Sequence, residues 1–367
     1  MSAYHLCFVD SMRTWGGAEV WFLDTALALS RRGHRVSIVA QPDGELAHRA
    51  RTEDVAVREL AIRFDAAPWT LAKLARYFAG SGVTAVVANL TKDLKAAAVA
   101  GRIAGVPVVL ASRESDFPLK DKFYYRWYFN RLATGLLVNS QATRATVLAS
   151  VPWLDPGRVH LLYKGIDCQR FTPGRSAPSV PTVGFVGQLI ERKGLLELMA
   201  AWSLIESRDL VAPPVLRIAG TGPLADQLAA WRRGLRRPDL VHLEGFVEDI
   251  PAFYRGLDLL VMPSRAEGFG LAAAEAQACG LPVIGTRASS LPEIVLDGRT
   301  GLLVPPESAG DLATAVIKLL KDPAWARTLG AAGHERVLAE FTSERTCDRL
   351  LRLTGAPAAP SPKGMQS

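Results

Sequence analysis

The chain has 367 residues, 49% of them hydrophobic and 22% charged, with a formal net charge of +7. These values exclude a fibrous or disordered chain, and the length predicts two domains. Cys7, Cys168, Cys279 and Cys347 are far apart and form no C-x-x-C, which argues against a disulfide framework or a zinc site and fits a reducing compartment. No apolar run reaches the length of a membrane span, and MSAYHLCFVD enters a strand without a basic leader, so the expected location is cytoplasmic. The basic excess suits nucleic acid, an anionic substrate or an anionic membrane.

In chain order, Tyr4 to Val9 reads as a buried strand, Gly16-Gly17 as a turn, Ala18 to Ser30 as a helix and Arg35 to Ala40 as the next strand. This is the anion-binding unit of a doubly wound sheet, but it lacks G-x-G-x-x-G, so a dinucleotide site is not supported. Further strands are expected at Ala85 to Ala88, Val106 to Ala111 and Gly135 to Asn139, with a helix from Lys92 to Ala104. Thr172 to Thr182, rich in proline, serine and glycine, reads as a linker. Val183 to Gly187 starts a second α/β region, and Leu216 to Gly222 gives another strand followed by Gly-x-Gly.

The most informative stretch is Leu259 to Thr286, LLVMPSRAEGFGLAAAEAQACGLPVIGT. Leu259 to Met262 reads as a strand buried on both faces, Gly268-Phe269-Gly270 as a glycine turn, Leu271 to Ala278 as a helix and Pro282 to Thr286 as a strand. The turn therefore sits where a strand ends and a helix begins, the ligand position of an open α/β sheet. Helix-start N–H groups suit phosphate, and Glu267 and Glu275 can accept hydrogen bonds from hydroxyls. A nucleotide sugar, with hydroxyls on both sides of a diphosphate, has that chemistry.

The run P-S-x-x-E-G-F-G-L-x-x-x-E-A-x-A-C-G-x-P-V-I-G-T, with Glu267 and Glu275 in E-x7-E spacing, resembles the family 4 glycosyltransferases. Gly16-Gly17-Ala18-Glu19, Asn139-Ser140, Gly165-Ile166-Asp167, Gly187 to Gly194, Leu243 to Val247 and Leu291 to Val295 resemble other motifs of that family. The resemblance implies a GT-B fold of two Rossmann-like doubly wound domains facing a cleft. Its expected parts are an acceptor-side domain over 1–172, a nucleotide-sugar domain over 173–342, a crossover helix over 343–355 packing on the first domain, and a disordered tail over 356–367.

The implied activity is retaining hexosyl transfer, of the EC 2.4 class, from a UDP- or GDP-linked sugar to a hydroxyl acceptor. Lipopolysaccharide, capsule or other bacterial glycan assembly is the implied setting, and the acceptor a saccharide or lipid-linked saccharide. The alternatives are a nucleotide-sugar-binding regulator without turnover, or an epimerase or phosphorylase of the same fold. The implied donor-binding set is Gly16, Gly17, Gln188, Arg192, Lys193, Gly220, Gly222, Phe246, Val247, Glu267, Gly268, Phe269, Gly270, Leu271 and Glu275. Lys193 and Arg192 would hold the diphosphate, Glu267 the sugar and Glu275 the ribose. No cofactor and no metal are implied.

Three departures from the family pattern stand out. Gln188 replaces an arginine, and Lys164 replaces an asparagine. Where many members place a cleft histidine, this chain has Ser112-Arg113-Glu114, so Arg113 or Glu114 takes the catalytic position or forms an ordinary surface ion pair. After it, FPLKDKFYYRWYFNR (117–131) mixes aromatic and basic residues. That mixture suits an anionic membrane surface or a buried aromatic helix; nucleic acid is not expected, because no nucleic-acid motif accompanies it.

Overall fold

A computed structural model describes residues 4–62, 67–89, 91–174, 180–208 and 212–356. The chain forms two compact units, residues 1–165 with 343–367, and residues 166–342.

The first unit is built on a seven-stranded sheet in the order β3-β2-β1-β4-β5-β6-β7. Its strands are β1 (His5–Asp10), β2 (Arg35–Ala40), β3 (Ala56–Glu59), β4 (Ala85–Asn89), β5 (Val108–Arg113), β6 (Gly135–Val138) and β7 (Val159–Leu161). Every neighbouring pair is parallel. The central strands are apolar without alternation because both faces are covered. One face packs on the helices Pro68–Ser81 and Thr91–Ala104, and the other on Gly17–Arg31 and the last helix, Ser343–Thr354. Cys347, Leu350 and Leu351 of that last helix lie in the second core. Its Thr346 hydroxyl donates to the Tyr163 carbonyl at 2.9 Å.

The second unit carries a six-stranded parallel sheet in the order β10-β9-β8-β11-β12-β13. Its strands are β8 (Thr182–Val186), β9 (Val215–Ala219), β10 (Val241–Gly245), β11 (Leu259–Met262), β12 (Val283–Thr286) and β13 (Gly301–Val304). The strand order reverses between β1 and β4 in one sheet and between β8 and β11 in the other. At such a switch point the flanking loops part, and a crevice opens beyond the carboxyl ends of the strands.

The boundary between the units lies after Gly165, not after residue 172. Ile166 bridges Thr342, and the Phe171 ring lies 6.2 Å from that of Tyr254, so these residues pack with the second unit. The expected linker lies partly, and the expected tail almost wholly, outside the described residues.

The 117–131 segment divides between two environments. It forms the short helix Phe123–Trp127 and one wide turn, Tyr128–Leu132. Tyr125 and Phe129 are buried in the core, while Phe123 is 86% and Trp127 53% exposed. The buried-helix expectation therefore holds for Tyr125 and Phe129, holds in part for Tyr124 and Tyr128, which are half-buried against the same core, and fails for Phe123 and Trp127. A five-residue helix cannot turn every ring inward.

Candidate active site

At the switch point of the second sheet, the chain leaves β8 through Gly187 and Gln188 and turns at Glu191–Lys193 into the helix Leu195–Glu206. Gly194 joins turn and helix with φ +71°, a left-handed conformation that side chains rarely adopt. A Cβ there would lie 1.9 Å from the Pro263 carbonyl, so the turn presses against the loop that follows β11. Lys193 consequently reaches Glu267, with Nζ 2.5 Å from Oε1. Ser264 Oγ donates to the same oxygen at 2.8 Å. Both donors fall on Oε1, which leaves Oε2 outside the pair. Arg192 Nη1 approaches the Ala266 carbonyl at 3.4 Å.

The loop after β11 then enters the helix Leu271–Ala278 through Gly270 at φ +95°, with no side-chain cap. The first N–H groups of a helix have no intrahelical partner, so this uncapped start presents donors and a positive dipole end. Ser290 Oγ donates to the carbonyls of Glu267 and Phe269, at 3.1 and 2.9 Å, and fixes the loop from beneath. Glu275, half-buried, accepts from the Tyr254 hydroxyl at 2.9 Å. Burial holds the Tyr254 phenol well above its ordinary value, so it remains a donor.

The remaining expected donor-site residues of this unit distribute unevenly. Gly220 and Gly222 sit after β9, where a Cβ would meet Gly187 and Leu189 backbone oxygens at 1.8 and 2.6 Å. They let the β8 and β9 loops touch. Gln188 is exposed, Phe246 is 52% exposed and Val247 half-buried, in the loops after β8 and β10. Phe269 is the exception: its ring is buried against Phe341, with centroids 5.7 Å apart, so only its backbone can face a ligand. Gly268 is buried and Leu271 half-buried. Sequence reading did not assign Ser264, Ser290 or Tyr254, which hold Glu267 and Glu275 in place. Only Ser264 lay within a recognisable motif.

The corresponding edge of the first sheet has different chemistry. Gly16 is the N-cap of the helix Gly17–Arg31, and the Gly17 carbonyl accepts from Lys164 Nζ at 2.9 Å. Lys164 also pairs with Glu114 at 2.7 Å, with both side chains largely buried. Ser112 Oγ donates to Glu114 Oε1, and Asn139 Nδ2 approaches Oε2 at 3.5 Å. The two departures Glu114 and Lys164 are thus partners in one ion pair, not an exposed surface pair. Arg113 instead donates to the Phe117 carbonyl at 2.7 Å, and burial lowers its guanidinium from the ordinary value.

Behind that pair, Asp10, Glu19 and Asp93 are buried together with Asn89. Burial pushes Glu19 up to about 7 and Asp93 up to about 8, and raises Asp10 as well. Of these, only Glu19 fell within a motif the sequence analysis singled out. A polar residue at the end of an otherwise apolar strand, as Asp10 and Asn89 are, was the available signal.

Two family models match this chain, "Glycosyltransferase Family 4" over residues 15–170 and "Glycosyl transferases group 1" over 180–322. The chain belongs to the family 4, group 1 glycosyltransferases. The D-inositol 3-phosphate glycosyltransferase of Thermobifida fusca is 34% identical over 60% of this chain and 54% of its own length. The alpha-maltose-1-phosphate synthase of Mycolicibacterium smegmatis is 32% identical over 60% of this chain and 62% of its own. This glycosyltransferase-family chain spans about half the length of the first curated relatives it matches. Among solved structures, Anabaena HepE in complex with UDP and glucose superposes with a TM-score of 0.80 at 21% identity, over 96% of this chain and 99% of that one. A glycosyltransferase from Rickettsia africae superposes with a TM-score of 0.83 at 19% identity, over 96% and 98%. These likenesses establish the GT-B fold.

Proposed function

We propose that the chain transfers a hexosyl group, with retention, from a UDP- or GDP-linked sugar to a hydroxyl acceptor. The observation that carries this is Lys193 Nζ at 2.5 Å from Glu267 Oε1, beside the uncapped start of Leu271–Ala278. One cation and one row of backbone donors meet a carboxylate whose second oxygen is not used by the pair.

The donor's C1–oxygen bond breaks with its electron pair leaving on the diphosphate, and the acceptor oxygen bonds to C1. The acceptor's proton passes to the departing diphosphate oxygen. Lys193, Arg192 and the N–H groups at Leu271 and Ala272 counter the charge that grows on the diphosphate, which is electrostatic stabilisation of the transition state. Glu267 orients the hexose and Glu275 the ribose, which is positioning.

Calorimetry with UDP- and GDP-hexoses, followed by nucleotide release with and without sugar acceptors, tests the reading. Submicromolar to millimolar binding with acceptor-stimulated release supports it. Binding without release under any acceptor would make the chain a regulator, and no binding of either nucleotide would end the proposal.

The exposed face of 117–131 favours a lipid-linked saccharide as acceptor and a peripheral position at a bacterial inner membrane. Phe123 and Trp127 are exposed, as are Lys120, Lys122, Arg126 and Arg131 of the same segment. Each cation near an anionic surface is worth about 1 kcal/mol. Changing these four cations to glutamine should abolish co-sedimentation with phosphatidylglycerol vesicles at low salt while nucleotide affinity stays intact. Failure of the wild-type chain to sediment would remove the membrane and point to a soluble acceptor.

A further inference from the structure

The second unit has a cavity on the edge of its sheet opposite the proposed donor site. It opens where the chain enters β11 and β12, beside the helices Ala309–Lys321 and Pro323–Glu340. The donor residues Glu267 and Leu271 lie instead beyond the carboxyl end of β11. The volume of the cavity is about 490 Å³, within the roughly 300–1,000 Å³ of small-molecule sites.

The wall is mostly apolar. Leu257, Leu259, Leu281, Leu319 and Ala326 line it, and all five are buried. They come from the strand ends and from both helices, which part here and leave the space between them unfilled. Such a wall offers water few hydrogen-bond partners and suits the hydrocarbon part of a ligand.

The polar groups of the wall decide how that ligand is anchored. Arg255 closes the short helix Ile250–Arg255 and is half-buried. Among the described residues, nothing pairs with its guanidinium. That charge lies near enough to Cys279, another wall residue, to act on its thiol. Burial still pushes the thiol up to about 12, so Cys279 stays neutral and does not compete for the cation. Asp258 is engaged elsewhere: its Oδ2 accepts the Thr182 N–H at 2.8 Å. His334 donates Nδ1–H to the Ala278 carbonyl at 2.7 Å. Arg327 and Glu335 stand at the exposed rim, where water solvates both. The group left without compensation is therefore Arg255. A half-buried guanidinium without a partner is costly, and a carboxylate or phosphate oxygen pairs with it best.

We infer that this cavity binds an amphipathic anion, a hydrocarbon chain whose carboxylate or phosphate pairs with Arg255. The site lies apart from the proposed donor chemistry and does not depend on it.

The test is calorimetry on the full chain at pH 7, below the micelle-forming concentrations, with decanoate, decyl phosphate, decanol and decyltrimethylammonium. At least one of the two anions should bind one-to-one in the micromolar range. Tighter binding of decanoate identifies a fatty acid as the ligand, and tighter binding of decyl phosphate a lipid phosphate. Decanol and the ammonium should bind at least tenfold more weakly than the better anion. Arg255→Gln should weaken the anions at least fivefold. Ala331→Trp, at an exposed position on the rim, should cover the opening and weaken them at least fivefold without a change in thermal unfolding. If that variant unfolds, Leu320→Glu, which sets an acid at a half-buried wall position, should weaken the anions to the same extent.

Failure of both anions to bind the wild type at about 1 mM would refute the site. Equal binding of decanol or of the ammonium would refute the pairing with Arg255. Anion binding that Arg255→Gln and the rim or wall variant leave unchanged would place the ligand elsewhere, as on the exposed residues of 117–131, and would also overturn the inference.

Discussion

The two sheets offer the same geometry at their switch points and opposite chemistry. In the second unit the loop after β8 brings Lys193 to the loop after β11, where Glu267 and an uncapped helix start surround one region. That edge is built to stabilise negative charge. In the first unit the ends of β1 and β4 bring Asp10 to Asn89, and Lys164 is spent on Glu114. That edge holds protons and hydrogen bonds in place of charge. A parallel sheet fixes where a ligand sits, and a few side chains at strand ends decide what it can be.

The largest expected effect concerns the Glu114–Lys164 pair. Lys164→Met leaves a buried carboxylate without its cation, and breaking such a pair costs about 3–5 kcal/mol. Thermal unfolding should show a large loss, and Glu114→Gln combined with Lys164→Met should recover most of it. A single variant with wild-type stability would show that the pair is solvent-screened and the contrast between the edges overstated.

Next comes Lys193. If the second edge stabilises growing diphosphate charge, Lys193→Ala should lower kcat by about 10²–10³-fold, with a smaller change in KM. Turnover within about twofold of the wild type would remove its phosphate role.

The third prediction tests the protonated state of the first edge. Asp93 has its folded value raised to about 8, so the folded state keeps a proton that the unfolded chain releases near pH 4. This stabilising contribution is complete below pH 4 and is lost as pH rises through 8. Wild-type stability should therefore fall between pH 5 and 8 by about 1.4 kcal/mol per pH unit from this group alone. Glu19, raised to about 7, adds to the same trend up to pH 7. Asp93→Asn should flatten the slope in chemical denaturation across that range, and an unchanged slope would mean that Asp93 is ionised.

The contrast also explains what the sequence disclosed. The donor edge was legible because Glu267, the glycine turn and Glu275 lie in one contiguous strand–turn–helix stretch, and Lys193 ends a local turn motif. The doubly wound sheets were legible from apolar runs, except β3, β7, β10 and β13. β3 and β10 are half-exposed, β7 is only three residues long and β13 only four, so none of them stood out as a buried run. The acidic cluster was not legible, since Asp10 and Asn89 are 79 positions apart and meet only through strand order. Lys164 and Glu114 were each visible as departures, but nothing local reveals that two distant departures compensate each other. The ring of Phe269, placed by its motif at the donor, is drawn instead into the core by Phe341, far along the chain.

The smaller effects lie within the donor edge. Glu275→Ala should weaken binding of the nucleotide sugar by roughly 1–3 kcal/mol, as for a buried group deprived of its partner. Unchanged affinity in calorimetry would withdraw the ribose assignment. Tyr254→Phe should have the smallest consequence. The Tyr254 hydroxyl donates to Glu275 Oε2 at 2.9 Å and touches no expected ligand position, so it acts only by aiming the carboxylate. Its loss removes one hydrogen bond to a charged group, and phenylalanine fills the same buried volume, so stability should fall by about 1.5 kcal/mol or less. If Glu275 holds ribose hydroxyls, donor affinity should drop by less than tenfold, and the double variant with Glu275→Ala should be no weaker than Glu275→Ala alone. Additive losses in that double-mutant cycle would mean that Tyr254 contacts the nucleotide itself.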